Sequence, residues 1–62
     1  MRIKISFPTA SDAEKVGPAT GDLGINWEAD DQELAISVNS RDAGELTDAL
    51  AAAGAAYSTK VM

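Results

Sequence analysis

The sequence predicts an α+β fold in which two helices pack on one face of a small antiparallel sheet. Three segments alternate apolar with polar residues at period two: Ile3, Ile5 and Phe7; Leu23, Ile25 and Trp27; and Leu34, Ile36 and Val38. Apolar residues recur at helical spacing between the first and second of these, and again after the third. With 62 residues the chain makes one domain, 1–62, near the lower size limit for a self-sufficient core.

The first strand carries Arg2, Lys4 and Ser6 on the face opposite Ile3, Ile5 and Phe7, and it halts at Phe7-Pro8. Two overlapping helix-start signals follow, Thr9 with Asp12 and Ser11 with Glu14. The helix over TASDAEKV has a narrow apolar stripe of Ala10, Ala13 and Val16, and the sequence predicts that Gly17-Pro18 ends it after about two turns. GPATGD, residues 17–22, then reads as a connecting loop. Trp27 shares a strand face with Leu23 and Ile25 and reads as the largest core residue, an interface anchor being the alternative.

EADDQE, between the second and third strands, is polar and short enough for a hairpin loop, so those strands should pair antiparallel. Asn26, Glu28, Ser37 and Asn39 would then share the face turned away from the helices. The main helix, in SRDAGELTDALAAAG, has Ser40 as a cap, the Asp42-to-Glu45 capping-box spacing, and Ala43, Leu46, Leu50 and Ala53 on one face. Gly54 leaves two readings open. If it stops the helix, Tyr57 to Val61 forms a fourth strand and the order is the ferredoxin-like βαββαβ; if it is tolerated, the helix continues towards Met62 over a three-stranded sheet, β-α-β-β-α.

Composition narrows the chemistry. The chain has neither cysteine nor histidine, which removes thiolate zinc sites, disulfides and the usual general base, so the expectation is a protein without catalytic residues, metal or cofactor. Ten acidic residues against five basic ones give a net charge of −5, which repels a phosphate backbone, so no direct nucleic-acid binding by this chain alone is expected. The same charge balance suits a salt-rich cytoplasm, although solubility alone explains it. ALAAAGAA is far shorter than the roughly 20 apolar residues that span a bilayer, and nothing resembles a signal peptide, so a soluble cytoplasmic protein with no membrane contact is expected.

Gly17, Gly21 and Gly24 have the wrong spacing for a phosphate loop, no lysine follows them, and Asp22 would oppose a phosphate; they read as turn residues. Asp30 and Asp31, with Glu28 and Glu33, lack the ligand pattern and glycine of a calcium loop and read as a solvated hairpin tip.

ISFPTASDAEKVGPA resembles the small KEOPS dimerisation subunits, relatives of the LAGE and CTAG cancer/testis antigens, through Phe7, Pro8, Ala13 and Glu14. ELAISVNSRDAGELTDAL is similar to that family's third strand and second helix, through Leu34, Ile36 and Val38, then Asp42, Leu46 and Leu50; Lys60-Val61-Met62 resembles the basic-then-methionine ending of many members. The chain departs from the family in its short first helix, in Gly44, Gly54 and the alanine run of its second helix, and in Thr47, which follows Leu46 where members have an arginine. The resemblance implies a divergent or paralogous archaeal member. Such a non-catalytic subunit dimerises and binds the transferase subunit of a tRNA threonylcarbamoyladenosine modification complex through its helices. On that reading Ala13, Val16, Leu46, Leu50 and Ala53 of the helices, with Tyr57 beyond them, are the partner-binding residues. Two other readings stand beside it: a free-standing ferredoxin-like interaction or ligand-sensing module, which requires the fourth strand, and a small acidic inhibitor or nucleic-acid mimic, which requires carboxylates arrayed along one face.

Overall fold

A computed structural model of the chain describes residues 1–21, 23–30 and 34–62. Its elements run β1 (Arg2–Ser6), α1 (Ala10–Glu14), α2 (Val16–Thr20), β2 (Trp27–Asp30), β3 (Ala35–Asn39), α3 (Ser40–Ala52) and β4 (Ser58–Val61). The sheet is antiparallel throughout, in the order β2-β3-β1-β4. With α1 and α2 taken together as one interrupted crossover, this is the α+β, βαββαβ arrangement of a ferredoxin-like fold, and the fourth strand is formed.

Register explains the two faces. Ile3 pairs with Val38 and Ile5 with Ile36, while Trp27 lies opposite Val38, so period-two alternation aims these side chains at the helices. Ile5, Val16, Val38, Leu46 and Leu50 are the largest fully buried side chains, joined in the core by Phe7, Ile36 and Ala55. Trp27 is half-buried and packs on that cluster's edge, its indole Nε1 donating to Thr20 Oγ1 at 3.1 Å.

The first crossover departs from expectation. Thr9 is the N-cap of α1, its Oγ1 accepting from the Asp12 amide at 3.2 Å, as its spacing predicts. Gly17-Pro18 does not end the helical path, because after a bend at Lys15 the two residues fall in the first turn of α2. Amides there have no intrahelical partner to lose, so proline is harmless. GPATGD is therefore mostly helix; Asp22 lies outside the described residues.

β2 begins at Trp27, later than the apolar alternation implies, because Leu23 and Gly24 form a turn in which Gly24 adopts φ +67°. Leu34 likewise stays outside β3 and is 45% exposed. β2 continues through Asp30, and the rest of the predicted hairpin tip, Asp31, Gln32 and Glu33, lies outside the described residues.

At α3 the cap is Asn39, not Ser40, and Asn39 makes no side-chain cap bond; its Oδ1 accepts instead from Arg2 Nη1 at 3.4 Å. The helix stops at Gly54, whose φ of +78° suits a residue without Cβ. The Gly54 amide donates to Ala51 O at 3.1 Å and the Ala55 amide to Leu50 O at 2.9 Å. That paired closure satisfies the last carbonyls and buries Ala55 beside Leu50, turning the chain back to form β4.

Candidate functional site

Of the residues that the family resemblance makes partner-binding, Val16, Leu46 and Leu50 lie in the core. All three are at most 1% exposed, their surface already covered by Ile5, Ile36 and Val38. A domain this small uses its one apolar stripe to close its own core. Ala13 and Tyr57 are half-buried against that core, and Ala53, the C-cap of α3, is exposed. The six residues therefore form no common outward patch. Among the described residues, the exposed large apolar side chains are Met1, Leu34, Val61 and Met62, none of them on a helix.

A cleft of about 290 Å³ opens where β1 ends and β4 begins, lined by Ser6, Phe7, Pro8, Ala56, Tyr57 and Ser58. Phe7 is fixed by its amide, which donates to Leu34 O at 2.7 Å, and Pro8 then leads the chain away towards α1. The opposite wall is pinned through Asp12. Its Oδ2 accepts from Thr9 Oγ1 at 2.8 Å and its Oδ1 from the Ala56 amide at 3.2 Å. These hydrogen bonds, Thr9 first, with the charge of Lys15 beside them, hold the Asp12 carboxyl below its ordinary pKa. Lys15 Nζ adds a second tie, donating to Gly54 O at 3.3 Å.

The cleft offers hydroxyls and apolar surface, with no charged side chain in its lining. Such a site can seat a side chain or a turn of peptide, with the hydroxyls of Ser6, Tyr57 and Ser58 as its side-chain hydrogen-bonding groups. Among the described residues no group of three or more His, Cys, Asp or Glu side chains is placed to hold a metal ion. No described helix is long and apolar enough to cross a membrane.

The face of the sheet turned away from the helices is polar. Across it, Glu28, Ser37, Lys4 and Lys60 stand in one register row from β2 to β4. Arg2 stands beside that row with its guanidinium held in place, Nη2 donating to Ser37 O at 3.1 Å and to Ser37 Oγ at 3.0 Å. The alternation of RIKIS makes the placement of Arg2 and Lys4 on this face legible in the sequence. The position of Lys60 beside them is not, since it depends on Gly54 ending α3. The cleft has no sequence signal either, because its walls meet only when β4 pairs with β1.

No protein-family model matches the chain, and no curated protein or solved structure matches it.

Proposed function

We propose that the chain is a non-catalytic protein-interaction module. The observation supporting this is β4: every residue of this strand is exposed, and it lies at the edge of the sheet with one side unpaired. The Arg2 O bond from Met62, at 3.1 Å, sets the phase of the β1–β4 ladder, so that Lys60 and Ser58 bond to β1. Thr59 and Val61 then direct their amides and carbonyls outwards. Unpaired amides and carbonyls at an exposed edge are a template for another chain, and one strand added there would cover them.

The test is purification of the tagged protein at native salt, followed by mass measurement of the intact complex. A stoichiometric protein partner is expected. A chain recovered alone, monomeric at every concentration and with a melting temperature independent of dilution, would overturn the reading.

A second reading is the assembly subunit of a KEOPS-like tRNA modification complex. It is favoured by the Phe7-Pro8 stop after β1 and the Thr9 cap of α1, the segment on which the family resemblance is densest. On that reading the chain forms a homo- or heterodimer and binds the transferase subunit in the cytoplasm. Contact would fall on the outer helix surfaces and Tyr57, with Val16, Leu46 and Leu50 shaping those surfaces from beneath. The same purification tests it, and a complex without any transferase-like or kinase-like subunit would reject it. The acidic-mimic reading draws little support, because the carboxylates are dispersed over α1, β2 and α3.

A further inference from the structure

We infer that the β4 edge and the cationic half of the open face take an extended acidic segment of a partner protein, added as a fifth strand. The inference rests on the interaction-module reading and names the partner's chemistry. Three of the chain's five basic residues, Arg2, Lys4 and Lys60, stand on β1 and β4 on this one face, while the whole chain carries ten acidic ones. Neither strand contains a carboxylate.

Lys4 and Lys60 are direct cross-strand partners, which brings two basic residues side by side at this edge of the sheet. Arg2 adds a third cation to the face, its guanidinium held over β3 by Ser37 and Asn39. The unpaired amides and carbonyls of Thr59 and Val61 adjoin the same cations, so a strand paired there sets alternate side chains over Lys60 and Lys4.

The site favours polypeptide over nucleic acid on two counts. An edge of unpaired amides and carbonyls matches a peptide backbone. The face also carries no aromatic side chain on which bases could stack: its described residues on the two central strands are Arg2, Lys4 and Ser6, with Ala35, Ser37 and Asn39. The far edge, by contrast, holds Glu28 in the same row, so the face has a cationic and an anionic side.

The experiment titrates the full chain with a labelled decapeptide alternating Glu and Val, one alternating Glu and Pro, and a decamer of oligouridylate, read by fluorescence anisotropy. The Glu-Val peptide is expected to bind about tenfold more tightly than the other two, because proline carries no amide to complete a ladder. Added salt is expected to weaken it, and the Thr59 and Val61 amides should gain protection from exchange. Lys60→Glu should weaken Glu-Val binding by about tenfold or more, with Lys60→Gln as the milder variant should the first fold poorly. Equal binding of the two peptides, tighter binding of the oligonucleotide, or insensitivity to both Lys60 variants would overturn the proposal. If a native partner stays bound to Lys60→Glu, this site fails while the module reading stands; if no partner exists, both fail.

Discussion

The two crossovers connecting this sheet do the same topological job by different means. The second is one 13-residue helix, α3, that contributes the fully buried Leu46 and Leu50 and ends in a hydrogen-bonded glycine turn. The first is two five-residue helices meeting at Lys15, with Val16 as its one fully buried large side chain. It is held instead by polar ties: Thr9 to Asp12, Asp12 to Ala56, and Trp27 to Thr20, whose Oγ1 also donates to Val16 O at 2.8 Å. Burial fixes the long helix, and directional bonds fix the short pair. A part-buried bond such as Trp27 to Thr20 contributes about 1 kcal/mol, less than a buried leucine.

Leu50→Ala should therefore be the most damaging change, lowering stability in urea unfolding by about 3 kcal/mol, a large part of what so small a domain has. Val16→Ala removes the equivalent residue of the first crossover and should cost about 2 kcal/mol in the same assay. Equal losses from the two would end the proposed asymmetry. Thr20→Val keeps the shape but takes away the indole's acceptor, for an expected loss of about 1 kcal/mol and a shift in Trp27 emission that Val16→Ala lacks.

Gly54→Ala sharpens the comparison from the other side. No atom would obstruct the new Cβ, so its effect, also about 1 kcal/mol, comes from the left-handed backbone alone. Asp12→Asn should give the smallest change, visible chiefly in its pH dependence. Since folding lowers the Asp12 pKa, its stabilisation is complete above the unfolded aspartate value and disappears as pH falls through the folded one. Wild type and variant should thus converge in acid and separate towards neutrality; a difference that grew in acid would contradict the hydrogen-bond assignment.

Where the sequence expresses a period, the structure follows it. β1, β3 and α3 sit close to where their alternation and helical spacing place them, because half-buried elements write their faces into residue order. The discrepancies that change an element's extent most fall at glycine and proline. Gly24 cuts short the strand that Leu23 and Ile25 advertise, and Pro18 reads as a stop although it occupies a helix's first turn. Gly54 left β4 undecided, since STKV has no strong alternation of its own and pairs with β1 only once the turn has redirected it. The candidate site was less legible still. An apolar stripe marks burial without saying whether the covering surface belongs to the same molecule, and here Val16, Leu46 and Leu50 find theirs inside.

The strand order β2-β3-β1-β4 places the first strand between the third and the fourth. Neither half of the chain can assemble its share of the sheet alone, because β1 must wait for partners from beyond residue 34 on both sides. The rate-limiting search is then for contacts distant in sequence, and loss of either flank of β1 should melt the whole molecule in one cooperative step without leaving a folded subunit behind.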